Sequence, residues 1–314
     1  MLNTPLKMIN LRGRLLSNEP LANYTSWRVG GPAHYLYVPT DIDDLASFLA
    51  QLPDAMPLLW LGLGSNVLIR DGGVNGTVIV TQGALDKLSQ LDAQLIRAEA
   101  GVSCAQFARY SARLGLTGAE FMAGIPGTVG GALAMNAGCY GGETWQRVRY
   151  VETVDRNGKK HVRAAAEFTV AYRYVKRPEN EWFVAGHFEL MQGDKVKALA
   201  DIKSLLEKRN AAQPTGLPNC GSVFRNPPGQ HAGHLIESCG LKKSMMGGAY
   251  VSEKHANFII NGGHASAADI EALISHVRTI VLQQHGIHLI PEVCIIGKSK
   301  DKNCSALSSL LNEQ

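Results

Sequence analysis

The chain is 314 residues long, with Lys+Arg 31 against Asp+Glu 27, a formal net charge of +4 and 45% hydrophobic residues. At roughly 150 residues per domain this predicts about two domains with a full apolar core, which excludes intrinsic disorder and a small disulfide-stapled scaffold. The charge is evenly interspersed, without a basic block that would track nucleic-acid phosphates, so no nucleic-acid partner is expected. Glycine occupies 33 positions, enough to predict tight turns or main chain approached closely by a large group. The six cysteines, Cys104, Cys139, Cys220, Cys239, Cys294 and Cys304, form no CxxC and no zinc-like pairing with histidine. Ordinary thiols, a reducing compartment and no metal site are therefore expected. The first residues lack the apolar run and small-residue cleavage site of a secretory signal, and no stretch approaches about 18 apolar residues, so a soluble cytoplasmic chain without membrane insertion is predicted.

Before Val38 the sequence has little periodicity, and Gly30, Gly31 and Pro32 interrupt it. A helix is predicted from Thr40, which caps it with Asp43 at the capping-box position; Leu45, Phe48, Leu49 and Leu52 line one face and Pro53 ends it. Leu58 to Leu61 reads as a buried strand and Thr77 to Val80 as a short β-branched one. Ser103 and Gln106 repeat the capping-box spacing ahead of a helix with Phe107, Tyr110, Ser111 and Leu114 on one face, and Gly115 stands at its left-handed end. A strand follows from Val148 to Asp155, with Asn157-Gly158 as a two-residue hairpin turn into His161 and Val162. Phe183 to Leu190 is the next strand candidate. A helix begins near Asp194, with Leu199, Ile202, Leu205 and Leu206, and the principal domain boundary falls in or just before the break at Gln213 to Asn219. Phe258 to Ile260 reads as a strand. Ser266 and Asp269 box the start of a last helix whose stripe is Ile270, Leu273, Ile274, Val277 and Val281, closed by Gly286. The tail beyond Lys298 is Ser/Lys/Asn-rich and expected to fray.

Two glycine-rich segments carry the chemistry. Gly62-Leu63-Gly64-Ser65-Asn66 follows a strand, but Val67 occupies the place of the third Rossmann glycine and bulky Leu68 follows. The turn can still present N–H groups and the Ser65 hydroxyl to a phosphate, or serve simply as a strand-to-loop turn. The second segment, GIPGTVGG from Gly124 to Gly131 and then ALAMNAGCYGG, has Thr128 and Asn136 as its polar neighbours and lacks the GKS or GKT of a Walker A loop. It suits backbone donors meeting a pyrophosphate, with a purely structural glycine loop as the alternative. Together, flanking a capped helix, the two favour a large nucleotide-type cofactor.

At these residues the sequence resembles the UDP-N-acetylenolpyruvoylglucosamine reductase family. The matching stretches are YTSWRVGGPA (Tyr24 to Ala33), GLGSNVLI (Gly62 to Ile69), AGIPGTVGGALAMNAGCYG (Ala123 to Gly141), AYR (Ala171 to Arg173), CGSVFRNP (Cys220 to Pro227), AGHLIESCGLK (Ala232 to Lys242), VSEKHANFIIN (Val251 to Asn261) and HLIPEV (His288 to Val293). They stand in the family's order and cover nearly the whole chain. The resemblance implies an α+β fold: a two-lobed FAD-binding domain of the vanillyl-alcohol-oxidase/PCMH type over residues 1–210, a smaller C-terminal α+β substrate-binding domain over 211–298 and a flexible tail over 299–314. The spacing between GSVFRNP and AGHLIESCGLK is similar to the family's shorter, second structural type.

The resemblance further implies non-covalent FAD and NADPH as reductant. The reaction is reduction of UDP-N-acetylglucosamine enolpyruvate to UDP-N-acetylmuramate, in peptidoglycan precursor synthesis and hence in cell-wall biogenesis, cell shape and division, with no obligate protein partner. Hydride delivery to the terminal carbon of the enol ether leaves enolate character beside the carboxylate, which the protein must stabilise and protonate. By residue-for-residue match, Ser222 is the proton donor, Arg173 the fork on the substrate carboxylate and Glu292 the acidic partner. Glu292 is expected inside a mainly apolar terminal strand, where an unused charge has a desolvation cost. Cofactor contacts fall on Gly62, Gly64, Ser65, Asn66 and Leu68, and on Gly124, Ile125, Pro126, Gly127, Thr128, Gly130, Gly131, Asn136, Ala137 and Gly138. Substrate contacts fall on Tyr172, Asn219, Arg225, Asn226, Lys242, His255 and Asn257. The chain departs from the family with Val175 and Ile290 at commonly polar positions, Arg225 for lysine and Ser244 for glycine. Two alternatives stay open: a flavin oxidase with covalent attachment, for which Cys139 is the suspicious residue, and a binding module without catalysis.

Overall fold

A computed structural model of the chain describes residues 8–300. β1 (Arg14–Pro20) and β2 (Pro32–Val38) occupy the stretch without periodicity; β1 buries no residue, so no alternating stripe marks it. α1 (Ile42–Gln51) is capped by Asp41, which accepts from Asp44 N at 2.9 Å, and not by Thr40. The reason is Asp44: its buried carboxylate accepts from Thr40 N (2.9 Å), Arg12 N (2.8 Å) and the Tyr37 hydroxyl (2.7 Å), holding Thr40 outside the helix. β3 (Leu58–Leu61) is the expected strand, β4 (Val67–Ile69) follows, and β5 (Val74–Val80) starts earlier than Thr77. After β6 (Leu88–Gln90) and β7 (Leu95–Glu99), α2 (Cys104–Arg113) begins as expected, with Ser103 Oγ accepting from Gln106 N at 3.1 Å and Gly115 at φ +74°.

The glycine-rich stretch holds β8 (Leu116–Thr117), α3 (Val129–Met135), β9 (Gly138–Cys139) and β10 (Gly142–Glu143). β11 (Val148–Asp155) and β12 (Lys160–Ala164) form a hairpin. Its turn is not the expected two-residue Asn157-Gly158 connection: Asp155 N donates to Lys159 O at 3.0 Å, enclosing Arg156, Asn157 and Gly158. The Asp155 carboxylate accepts from Asn157 N (2.9 Å) and Lys159 N (3.0 Å), and this internal cap favours the longer turn. β13 (Thr169–Ala171) and β14 (Tyr174–Lys176) make a second hairpin, followed by β15 (Glu181–Glu189) and β16 (Met191–Gln192). α4 (Lys195–Ala212) starts after Asp194, whose carboxylate accepts from Lys197 N.

The remaining elements are α5 (Ala232–Ser238), β17 (Met245–Met246), β18 (Ala249–Val251), β19 (Ile259–Asn261), α6 (Ala267–His285) and β20 (Cys294–Ile296). α6 has the expected Ser266/Asp269 box and left-handed Gly286, and its whole predicted stripe is buried. Strands pair as a four-stranded sheet β1-β2-β5-β3, a five-stranded sheet β12-β11-β15-β7-β6, a three-stranded sheet β17-β18-β19 and small two-stranded ladders. The five-stranded sheet is antiparallel throughout, so the fold class is α+β. Among the described residues no helix is long and apolar enough to cross a membrane.

The chain divides into two compact units. The first comprises the described residues through Leu16, Leu36–Leu63 and Val78–Arg209; the second comprises Ser17–Tyr35, Gly64–Thr77 and the described residues from Asn210 onward. In the first, Phe107 of α2 lies 4.5 Å from Phe188 of β15, ring centre to ring centre, and Trp145 donates through Nε1 to Leu133 O. In the second, α6 packs with Trp27, Leu68 and Val293 in one core. Each such fully buried side chain contributes roughly 1.5–3 kcal/mol.

The sequence reading keeps residues 1–210 together, whereas the second unit takes Ser17–Tyr35 and Gly64–Thr77. Directional bonds within that unit account for this. Trp27 Nε1 donates to Ile259 O and Asn261 Nδ2 to Trp27 O, both at 2.8 Å. Arg70 grips Glu271 through Nε (2.9 Å) and Nη2 (2.8 Å), and Asp71 accepts from Ala267 N and Ala268 N at the start of α6. Of the predicted tail 299–314, residues 301–314 lie outside the described residues.

Candidate active site

In the first unit the second glycine segment folds against α2. Cys104 N donates to Gly127 O (2.9 Å), Val129 N to Val102 O (2.8 Å) and Gly130 N to Ala100 O (2.9 Å). Thr128 caps α3 through its hydroxyl, which accepts from Gly131 N at 3.4 Å. A Cβ on Gly62 would strike that hydroxyl, so glycine there lets the β3 turn reach the start of α3. Pro126 and Gly131 are exposed, Ile125, Gly127 and Gly130 half-buried, and Gly124 buried. The outward face is main chain and small side chains, which a large polar cofactor can approach without obstruction. Beside it Cys139 donates from Sγ to Phe121 O at 3.0 Å, and burial pushes its thiol up to about 11.

Asn136 does not face outward as a cofactor contact. It is 1% exposed and left-handed at φ +47°, closing α3. Its Nδ2 donates to Glu143 Oε2 (2.8 Å) and to Ala171 O (3.2 Å), while Oδ1 accepts from Trp145 N (3.1 Å). A left-handed helix end favours a short amide side chain, and this one then ties the β13–β14 hairpin to the glycine segment. Ala137 O accepts from Thr144 N and Thr144 Oγ1, anchoring the same stretch.

That hairpin carries Tyr172 and Arg173 as its two turn residues, since Ala171 pairs with Tyr174. Arg173 sits at φ +55°. A positive angle at only the second central residue is the pattern of a type II turn, which normally takes glycine or asparagine; arginine there costs roughly 1–2 kcal/mol. Its guanidinium donates to Gly138 O (2.9 Å) and Asn136 O (3.5 Å) and lies 5.0 Å from the ring centre of exposed Tyr172. A strained cation at the tip of a hairpin is a functional signal. A separate cleft of this unit, about 660 Å³ and lined by Phe121, Tyr140, Arg147 and residues of α4, includes none of the candidate residues.

In the second unit the first glycine segment and two of the predicted catalytic residues come together. β4 and β20 pair in parallel, Val67 opposite Cys294. Asn66 Nδ2 donates to Glu292 O (3.1 Å), and Cys294 N donates to Asn66 O (3.0 Å). Ser26 N donates to Gly64 O at 3.1 Å, and Gly64 is left-handed at φ +63°, with the Tyr24 carbonyl where a Cβ would stand. Ser65 is half-buried at the turn's tip. Leu68, by contrast, is fully buried in the apolar core, so its side chain has no surface to offer a cofactor.

Glu292 lies ahead of β20, half-buried, and not within a strand as expected; Pro291 before it lacks the N–H that a continuing ladder needs. Its own N–H donates to Val223 O at 2.8 Å, placing Glu292 opposite Val223, the residue after half-buried Ser222. Arg225 N donates to Ile290 O at 2.9 Å, while Arg225 Nε is buried without a hydrogen-bond partner. Burial holds the Cys220 thiol well above its ordinary range, and the nearby Glu292 charge adds to that.

The other predicted substrate residues divide. Asn219 is spent locally: Oδ1 accepts from Gly221 N (2.8 Å) and Nδ2 donates to Leu217 O (2.6 Å) and Pro214 O (3.2 Å). Asn226 is exposed and accepts from Ala232 N at the start of α5. Lys242 pairs with Glu237. His255 packs its ring 4.9 Å from Phe258 and accepts from Asn257 N, and burial lowers its basicity. Asn257 is 3% exposed, its amide turned onto the Phe224 main chain. Inward amides such as Asn136 and Asn257 look the same in sequence as outward ones, because only the tertiary partner tells them apart.

A family model described as UDP-N-acetylenolpyruvoylglucosamine reductase, C-terminal domain, matches residues 213–296, and one described as FAD binding domain matches residues 33–162. A UDP-N-acetylenolpyruvoylglucosamine reductase of Alkalilimnicola ehrlichii is 57% identical over 288 residues, covering 92% of this chain and 96% of its own. One from Legionella pneumophila is 61% identical over 287 residues, covering 91% and 93%. A crystal structure of the reductase (MurB) from Thermus caldophilus is similar with a TM-score of 0.77 at 32% identity, over 91% of this chain and 99% of that one.

Proposed function

This chain belongs to the UDP-N-acetylenolpyruvoylglucosamine reductase family, FAD-binding oxidoreductases, and from that premise we propose that it reduces UDP-N-acetylglucosamine enolpyruvate to UDP-N-acetylmuramate, with NADPH as reductant, in cytoplasmic peptidoglycan precursor synthesis. The observation that carries the proposal is the main-chain bond from Glu292 N to Val223 O, which brings the residue after Ser222 against Glu292 although some seventy positions separate them in the chain. Support for FAD comes from the FAD-binding-domain match over residues 33–162 and from the small exposed residues Pro126 and Gly131 of the glycine segment.

The residues proposed to hold FAD are Gly62, Gly64, Ser65, Asn66, Gly124, Ile125, Pro126, Gly127, Thr128, Gly130, Gly131, Ala137 and Gly138. Bound FAD supplies two-electron chemistry, passing electrons from NADPH to the enol ether. Burial pushes the Cys139 thiol up to about 11, which leaves little thiolate at neutral pH and supports non-covalent binding.

Reduction of the enol ether leaves negative charge on the carbon beside the carboxylate. Arg173 offers a fork of N–H donors to that carboxylate, a geometry lysine lacks. Ser222 donates the proton from Oγ to the carbon; a weak acid can do this only from a fixed position. Glu292 orients the hydroxyl or polarises the reacting group. Arg225 Nε, a buried donor left unpaired at a typical cost of about 1–3 kcal/mol, is proposed to meet an anionic oxygen of the sugar nucleotide.

The test is spectroscopic. Purified protein is expected to absorb as a flavoprotein, to be bleached anaerobically by NADPH and to regain its colour on addition of UDP-N-acetylglucosamine enolpyruvate. Bleaching without recovery would eliminate the substrate, and a colourless protein that takes up no FAD would eliminate the cofactor.

A further inference from the structure

The segment bearing Ser222 is held from two sides. On one side Glu292 N donates to Val223 O (2.8 Å), Phe224 and Pro291 form an isolated antiparallel bridge, and Arg225 N donates to Ile290 O (2.9 Å). On the other, Val223 N donates to Asn257 O (2.9 Å), and the Asn257 side chain closes a two-bond ring on Phe224: Phe224 N donates to Oδ1 (3.0 Å) and Nδ2 donates to Phe224 O (2.8 Å). Upstream, Asn219 Oδ1 accepts from Gly221 N (2.8 Å), where the chain is left-handed at φ +81°.

A carboxamide carries the same donor and acceptor pair as a peptide group. In the Phe224–Pro291 bridge it is the flanking Val223 C=O and Arg225 N–H that bond the 290–292 side, so the N–H and C=O of Phe224 point away from it. Phe224 is 2% exposed, and among the described residues these two groups have no strand to pair with. Asn257, itself 3% exposed, takes the place of the missing strand residue. Bonds at Val223 and Phe224, immediately after Ser222, then fix the main chain that carries Ser222 and its register against residues 290–292.

We infer that Asn257 is a positioning residue: it does not meet the sugar nucleotide, but clamps Phe224 so that the segment carrying Ser222 stays in register with residues 290–292. The inference rests on the reaction proposed above. It separates the two half-reactions, because flavin reduction by NADPH needs no proton from Ser222 whereas substrate reduction does. A displacement of about 1 Å at such a donor costs on the order of 10²-fold in rate.

The experiment uses FAD-loaded Asn257→Ala and Asn257→Asp. Flavin content and the anaerobic rate of reduction by NADPH are expected within about twofold of wild type, while reoxidation by UDP-N-acetylglucosamine enolpyruvate slows on the order of 10²-fold with little change in KM. Wild-type reoxidation in either folded variant overturns the inference, and so does equal slowing of both half-reactions, which marks a merely structural role. If neither variant folds, amide hydrogen exchange in the wild-type holoenzyme decides: slow exchange at Phe224 N–H supports the clamp and fast exchange overturns it. Wild-type flavin that the sugar nucleotide fails to reoxidise sinks the functional reading instead, and the Phe224 amide then judges the clamp alone.

Discussion

Arg173 and Ser222 are mounted in opposite ways. Arg173 stands at the tip of a two-residue hairpin turn in a left-handed conformation, its head group steered by the carbonyls of Gly138 and Asn136. Ser222 lies in an extended segment bonded on one side to Asn257 and on the other to residues 290–292. The contrast follows from their proposed tasks. A cation that holds a carboxylate acts through a long side chain and tolerates adjustment, whereas a weak hydroxyl acid has no reach and depends on a fixed backbone.

The most damaging way to probe the contrast is Ser222→Ala. Flavin binding and reduction by NADPH are expected to survive, while substrate reduction falls by roughly 10²–10⁴-fold, the range for a general acid; wild-type turnover would remove Ser222 from the mechanism. Arg173→Gly tests the other mounting and carries opposite signs. Turnover is expected to fall by about 10²–10³-fold, yet thermal unfolding should show a gain of up to ~1 kcal/mol from relief of the left-handed strain. A less stable variant would show that the turn is not strained.

A third prediction concerns charge. On the first unit's sheet, burial would raise the Glu152 carboxyl, but hydrogen bonds from Arg97 (2.6 and 2.7 Å) and His187 (2.7 Å) bring it down to about 2. A depressed carboxyl contributes stability above its unfolded range and loses it as pH falls through the folded value. Glu152→Gln is therefore expected to unfold at lower temperature than wild type at pH 7, with the gap closing between about pH 4 and pH 2. A gap that persists unchanged would refute the linkage. The amide clamp around Ser222 does not titrate and offers no such window. The smallest effect is expected from Cys139→Ala, which should retain FAD, with no flavin mass on the denatured wild-type chain; a covalent adduct would reopen the oxidase alternative.

Much of this was legible in order along the chain. The Ser103 N-cap, the Ser266/Asp269 capping box, the α6 stripe and the strand from Val148 to Asp155 are local patterns, and the structure has them where the residues predict, although at Ser103 only the bond from Gln106 N forms. The first misreadings are those where a side-chain carboxylate bonded the main chain beside it. Asp44 pulled the start of α1 past Thr40, and the Asp155 carboxylate lengthened a turn. Val175, at a commonly polar family position, is buried in the first unit's core. Among site residues, Leu68, Asn136 and Asn257 were chosen by motif, yet their side chains point into packed or hydrogen-bonded surroundings.

By itself, then, the amino-acid order determined the family, the flavin chemistry it implies and the residue types available for it, because glycine runs, capping spacings and apolar periods are short-range signals that the backbone reads locally. Only the tertiary structure decided which asparagines are scaffolding, that Gly64–Thr77 joins the second unit, and that Glu292 lies against Val223, next to Ser222 in the chain. Those outcomes depend on hydrogen bonds between residues scores to hundreds of positions apart, and buried donors and acceptors must find such partners wherever the chain brings them.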